Sequence, residues 1–389
     1  MKTIILMLIL FFPCIILSQN SIENVLSEVE KNNTTLLAYK QSFEAQKIGN
    51  KTGIFLENPK AEINYLLGNP STIGNRTDFS ISQSFDFPTA YSYKKRIANA
   101  RNMQSDFEYQ SKRKEILFQT RQICIELIYY NLLQIELHKR LQHANAIALA
   151  YQAKFDKGEA NILERNKAEL NLLKAKKEIE GIEIEHNSLL SELSGLNGGK
   201  PILFADSIYP KTDIPQDYDQ WYVLVEQNNP DLLYLKKEMD IYQNQIKLNK
   251  ALSLPKFSTG YMSETVVGQK YQGLSIGISV PLFENRNIVK FAKAKQIAVQ
   301  DIVNDTKLQL FNQLKIQHTK VIGLMKYAQN YRENLKSFSN TDLLKKALDK
   351  GEISLIEYMF ELSLYYENLN AILEAERDAQ KAILEMTKY

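Results

Sequence analysis

The chain has 389 residues, and 44% of them are apolar, enough to bury a large core and to exclude disorder as a description of the whole. Lys+Arg number 48 against 45 Asp+Glu, so the formal net charge of +3 is too near balance for a nucleic-acid binder held by bulk charge. Two cysteines and four histidines leave little for a disulfide framework or metal cage, and with 15 glycines, 10 prolines and no proline after Pro281 the chain should contain very long helices.

The first element is an address. Lys2 is followed by an apolar run from Ile4 to Leu17 and then Ser18, which predicts a secretory signal over 1–18. Cys14 follows Phe11, Phe12 and Pro13, not the small residues that precede a lipid-attachment cysteine. Cys124 lies in an apolar helical stretch and reads as a packing residue.

Beyond the signal the chain repeats itself. Val29-Glu30-Lys31-Asn32-Asn33 recurs as Val225-Glu226-Gln227-Asn228-Asn229, and Pro59-Lys60 as Pro255-Lys256, both 196 residues apart. Phe87-Pro88 recurs as Val280-Pro281, and Asp156-Lys157-Gly158-Glu159 as Asp349-Lys350-Gly351-Glu352, both at an offset of 193. The sequence thus divides into a first repeat at 19–197, a linker at 198–216 that opens on Gly198-Gly199-Lys200-Pro201, and a second repeat at 217–389.

Each repeat has the same predicted order. A helix comes first, at about 21–56 and about 217–252. Two alternating segments follow. Phe79, Ile81, Phe85 and Phe87 interleave with Ser80, Ser82, Ser84 and Asp86, and Leu274, Ile276, Ile278 and Val280 interleave with Ser275, Gly277 and Ser279. Their partners are Ala61-Ile63-Tyr65-Leu67 and Phe257-Thr259-Tyr261, across turn-rich loops at 68–77 and roughly 264–273. Period-two alternation with a small, polar second face fits a membrane-barrel strand better than a soluble hairpin. A breaker-poor stretch comes next. Residues 89–157 hold neither Gly nor Pro, and as one helix would reach about 100 Å, more than a compact domain houses. After a Lys-Gly-Glu turn the last helix carries heptads: Leu172, Ala175, Ile179, Ile182, His186, Leu189, Leu193 and Leu196, and again Leu362, Tyr365, Leu369, Ile372, Glu376, Ala379, Ile383 and Met386. That spacing predicts left-handed coiled coils. His186 sits on the seam, where one polar residue sets register; metal ligation is the lesser alternative.

The fold class is therefore mainly α with a small β part. Four strands cannot close a barrel, and open sheet edges are forbidden in lipid, so strands that enter a membrane must be pooled among chains, and three chains supply twelve. In this order of elements, with Val225-Glu226-Gln227-Asn228-Asn229-Pro230-Asp231-Leu232 and Lys350-Gly351-Glu352-Ile353-Ser354-Leu355-Ile356-Glu357, the chain resembles the TolC family of outer-membrane efflux proteins.

The resemblance implies a homotrimer with a 12-stranded outer-membrane barrel and a coiled-coil α-helical tunnel in the periplasm of a Gram-negative bacterium. It implies a passive exit duct served by a periplasmic adaptor (membrane fusion) protein and an inner-membrane pump. The short loops look like the metal- and drug-efflux members that serve resistance-nodulation-division pumps. A type I protein-secretion channel is the runner-up within the class, and a pore-less periplasmic coiled-coil scaffold is the rival outside it. By the same resemblance the adaptor-contact turns are Lys157, Gly158, Glu159 and Leu163, and Lys350, Gly351, Glu352 and Leu355. The periplasmic aperture falls on Glu164, Glu357 and Glu361, while the family's second acidic position falls on Phe360. Plain helix caps and solvated surface charges are the alternatives for these two sets. Tyr65, Phe79, Ile81, Phe85, Phe87, Tyr261, Ile276 and Ile278 are expected to face lipid or its interface. His138 and His143, five apart, do not share a helix face. No nucleophile–base set or phosphate-cradling loop appears, so no enzyme activity and no cofactor are expected.

Overall fold

The computed structural model describes residues 21–337 and 341–388. The predicted signal at 1–18 lies outside the described residues. The segment predicted as the first repeat holds α1 (Ile22–Asn32), α2 (Thr34–Gly49), β1 (Lys60–Leu66), β2 (Arg76–Phe85), α3 (Thr89–Asp156) and α4 (Ile162–Leu196). The second runs α5 (Tyr218–Asn228), α6 (Pro230–Ala251), β3 (Lys256–Val266), β4 (Gln269–Ser279), α7 (Ile288–Ser337), α8 (Thr341–Asp349) and α9 (Leu355–Met386).

Two expectations need correction. Each opening helix is two helices, broken at Asn33 and at Asn229. Asn229 leaves helical geometry (φ −72°, ψ 119°), and its side-chain oxygen accepts from the backbone N–H of Asp231 and Leu232, with Pro230 at the first position of α6. The Asn-Pro pair forces this: proline disfavours a helical conformation in the residue before it, and Asn is a preferred cap. Asn33 is also extended (ψ 114°). Its amide donates to the Leu196 carbonyl at 2.7 Å, at the end of α4. The second correction concerns 264–273, which is not a loop. β3 and β4 run through it, and only Val267 and Gly268 turn, both at positive φ (46° and 79°) as a two-residue hairpin requires.

The described residues divide into two compact units. The first takes residues up to Thr34, Leu117–Asp213 and Val321–Glu385. Its heptad positions fill the core: Leu172, Ala175, Ile179 and Leu193 from α4, and Leu362, Ile372, Ala379 and Ile383 from α9, are all buried. Burying such a leucine or isoleucine fully is worth about 2 kcal/mol against leaving it exposed. Polar groups on the seam are paired. Glu376 binds Arg332 of α7. His186 Nε2 lies 2.9 Å from Asn131 Oδ1, while the Asn131 amide donates to the Asp206 carbonyl at 2.8 Å. The amide direction makes Oδ1 an acceptor, so Nε2 carries the proton, and burial holds the imidazole pKa below its ordinary value. These bonds, with buried Ile202 and Phe204, strap the linker to this unit. Cys124 is fully buried and its thiol pKa is pushed up to about 12 by burial, as a packing residue requires.

The second unit takes Thr35–Ile116, Ile214–Lys320 and the described residues from Met386 on. Ala90, Ile97 and Ala100 of α3 pack on Ile241, Leu248 and Ala251 of α6. Tyr222 and Leu232 pack on Leu310 and Leu314 of α7. The Tyr218 hydroxyl donates to the Phe311 carbonyl at 2.5 Å, tying α5 to α7. The sheet in this unit is antiparallel throughout, in the order β1-β2-β3-β4, so the two hairpins are joined through β2 and β3.

Candidate functional site

The strand register sorts side chains onto two faces, because residues paired across antiparallel strands point the same way. On one face lie Ala61/Ile81/Tyr261/Leu274, Ile63/Phe79/Ser263/Gln272, Gln83/Thr259/Ile276 and Phe85/Phe257/Ile278, mostly apolar with Ser263, Gln272, Gln83 and Thr259 among them. On the other lie Lys60/Ser82/Gly260/Ser275, Glu62/Ser80/Met262/Gly273 and Ser84/Ser258/Gly277. Tyr65, Phe79, Ile81, Phe85, Tyr261, Ile276 and Ile278 all fall on the first face. Phe87 lies past the end of β2, its ring 6.5 Å from that of Phe257. The apolar face is uncovered in the single chain: Ile63 is 72% exposed, Ile276 83% and Leu274 85%. The polar face carries its charges in pairs, with Arg76 Nη2 3.1 Å from Glu264 and Nε 2.7 Å from Asp78. No helix among the described residues is long and apolar enough to cross a membrane.

The Lys-Gly-Glu turns are built alike. Gly158 (φ 76°) and Gly351 (φ 74°) end α3 and α8 in the left-handed region. The N–H of Gly158 bonds to the Phe155 carbonyl and that of Glu159 to the Lys154 carbonyl; Gly351 to Leu348 and Glu352 to Ala347 repeat the pattern. This is a helix stop that a residue with a Cβ adopts at a cost. Lys157, Glu159 and Leu163 are exposed, as are Lys350 and Glu352. Leu355 does not join them. It is 2% exposed, packed in a cluster with Ala144, Ala168, Leu172 and Tyr358, so it supports the turn from inside. The exposed residue 193 positions after Leu163 is Ile356.

Glu164 and Glu357 occupy the same place, the third residue of α4 and of α9. The Asn161 N–H donates to Glu164 at 2.9 Å, and Asn161 Oδ1 accepts from the Glu164 N–H at 3.0 Å. The Ser354 N–H donates to Glu357 at 2.8 Å, and the Glu357 N–H donates to Ser354 Oγ at 3.2 Å. These are reciprocal capping boxes. The bonds from Ser354 hold the Glu357 carboxyl below the usual carboxylate range. Glu361, one turn further along α9, makes no ion pair or hydrogen bond among the described residues and faces a cavity instead.

Two features went unread in the sequence. Arg140 is 6% exposed, its guanidinium 4.3 Å above the Tyr366 ring and 2.8 Å from Asn370 Oδ1. Its Nε has no hydrogen-bond partner, and burial lowers its pKa. The second feature is the cavity at Glu361. Arg140 meets Tyr366 and Asn370 from 226 and 230 residues away, so no local spacing announces it, while the cavity is gathered from three consecutive helices by the way they pack. His138 and His143 do not meet, and no group of three or more metal-ligating side chains occurs among the described residues.

No family model matches the chain. One curated relative, the alkaline protease secretion protein AprF of Pseudomonas aeruginosa, is 27% identical over 219 residues. That match covers 51% of this chain, which thus spans less than half the length of the relative, 44%. Among solved structures, the Campylobacter jejuni CmeC outer membrane channel superposes with a TM-score of 0.74 at 16% identity, covering 94% of this chain and 84% of the other. The outer membrane protein VceC of Vibrio cholerae gives 0.75 at 12% identity, covering 94% of each. Sharing nearly its whole length with these proteins, the chain has the TolC-like fold of outer-membrane channels: mainly helical, with one four-stranded antiparallel sheet.

Proposed function

We propose that this chain is one protomer of a homotrimeric outer-membrane channel that extends into the periplasm and serves as the passive, non-enzymatic exit duct of a tripartite export system. The observation that carries this reading is the sheet. It has one apolar face uncovered in the single chain, one polar face, and two open edges at β1 and β4. Lipid tolerates the apolar face but not the edges, and association of three copies satisfies both by pairing β1 of one with β4 of the next. The polar face of small residues then lines the lumen. Energy and cargo choice belong to an inner-membrane pump, joined through a periplasmic adaptor that meets Lys157, Glu159, Leu163, Lys350 and Glu352. The three copies of Glu357 set the charge of the aperture.

The cargo of this reading is metal ions or small toxic molecules handled by a resistance-nodulation-division pump. The connections between strands, nine residues at 67–75 and two at 267–268, are as short as such members require. A second reading, export of a protein, is favoured by the likeness to AprF.

Adjacent substitutions in β4 test the assignment of faces. Ile276→Arg puts a charge on the lipid face and is expected to cost about 2–4 kcal/mol near the bilayer midplane. Ser275→Arg, on the lumenal face, is expected to leave the detergent-extracted trimer intact and to change conductance instead. Equal tolerance of arginine at both positions, measured by trimer yield, contradicts the assignment.

A further inference from the structure

The two repeats differ near their Lys-Gly-Glu turns. In the first repeat Ala144 and Ala148 of α3 are both buried. In the second, a cavity of about 450 Å³ lies among the described residues of α7, α8 and α9, lined by Tyr331, Leu335, Leu344, Glu361, Leu364 and Tyr365 among others. Its volume is in the range that takes a drug-sized molecule.

The repeat supplies the control. The residue 193 positions before Glu361 is Ala168, which is 0% exposed and fills the contact between α4 and its neighbours. The residue at the place of Tyr365 is Leu172, also buried, and at that of Tyr331 it is His138. Where the first repeat closes a contact with an alanine and a leucine, the second sets a carboxylate and two phenol rings around a hollow. The carboxylate is unpaired among the described residues. Leu335, Leu344 and Leu364 make the apolar part of the wall, and Asn334, Thr341 and Asn368 complete it with uncharged polar groups.

We propose that this cavity binds lipophilic organic cations, with Glu361 as the counter-charge and Tyr331 and Tyr365 as aromatic walls. A free ammonium or metal ion gains little here, since it leaves the leucine wall unused and prefers its hydration shell. A neutral apolar molecule leaves Glu361 to lose its water without compensation. A flat or bulky cation satisfies both parts, through the carboxylate and the ring faces. The cavity belongs to one protomer and does not depend on the channel reading.

The test is ethidium binding to the full-length protein purified in detergent, followed by fluorescence anisotropy and corrected against protein-free micelles. Saturable binding is expected, weakened at least about tenfold by Glu361→Gln. Leu364→Trp, which fills the cavity, is expected to weaken it similarly. Glu333→Gln, which removes a carboxylate from α7 outside the cavity, should leave it unchanged. Each variant is first shown to keep the assembly state of the parent, which separates loss of the site from loss of the fold. Absence of saturable binding, or equal affinity in the parent, Glu361→Gln and Leu364→Trp, overturns the proposal. Single-channel conductance of the same preparation reads the duct function independently.

Discussion

Replacing Gly260 with valine is expected to abolish assembly, while the same change at Gly273 is tolerated. Both glycines lie on the polar face of the sheet, so polarity and pore volume do not separate them. What separates them is the neighbouring strand. A Cβ at Gly260 would run into the Ile81 carbonyl oxygen and come within 3.0 Å of Ser82 Cα, whereas one at Gly273 meets nothing within 4 Å. The obstacle at Gly260 is backbone, which cannot rotate away as a side chain does. The strands must part, and the seam they share is the ladder from Arg76↔Val266 to Phe85↔Phe257 that joins the two hairpins. Each backbone group left unpaired in lipid costs several kcal/mol, so opening even two rungs costs roughly 5 kcal/mol or more. The measurement is the fraction of chain recovered as a heat-resistant oligomer after detergent extraction. Near-zero recovery is predicted for Gly260→Val and near-parental recovery for Gly273→Val.

Glu357→Gln is the second large effect, because it parts two roles that Glu357→Ala confounds. The glutamate closes the cap of α9 and, on the proposed reading, supplies three negative charges around the channel axis. Glutamine also closes a capping box, so the variant should keep the parent's thermal stability. It removes the charge, so leak through the isolated pore should rise and cation preference should fall. Glu357→Ala removes both and should also lower thermal stability relative to Glu357→Gln. The pH dependence has a definite sign. The Ser354 bonds depress the carboxyl's pKa in the folded chain. Its contribution is therefore present above the pKa of the unfolded chain and is lost as pH falls through the lower, folded value. Within the single chain the Ser354 bonds keep the carboxyl charged to a lower pH than an ordinary glutamate. Conductance unchanged in Glu357→Gln but altered in Glu357→Ala would reduce the residue to a cap.

Much of the architecture was legible because it rests on local chemistry written twice. A glycine after a lysine stops two helices by the same bonds, and seven of the eight aromatic and aliphatic residues assigned to one sheet face share it, Phe87 lying just past the strand. The misreadings have physical causes. The apolar face of β3 and β4 carries Thr265, Lys270 and Gln272 near the hairpin tip, so alternation fades there and the segment mimics a loop. The break at Asn229-Pro230 was written in the sequence, as an N-cap followed by a proline, but the apolar periodicity on either side continues through it. Leu355 was assigned to the adaptor-contact turn by the family resemblance, whereas its place in the first turn of α9 puts it in the cluster with Tyr358. The buried Arg140 depends on α3 meeting α9 from 226 and 230 residues away, and the Glu361 cavity, although its lining spans only Tyr331 to Asn368, depends on how three consecutive helices pack, which periodicity does not give.

The number of copies in the assembled unit tests the account most directly. Native mass spectrometry of the chain extracted from membranes in detergent, with planar-bilayer recording of the same sample, should give three copies and discrete conductance steps. A stable single copy that stays folded in water without detergent and conducts nothing would contradict it.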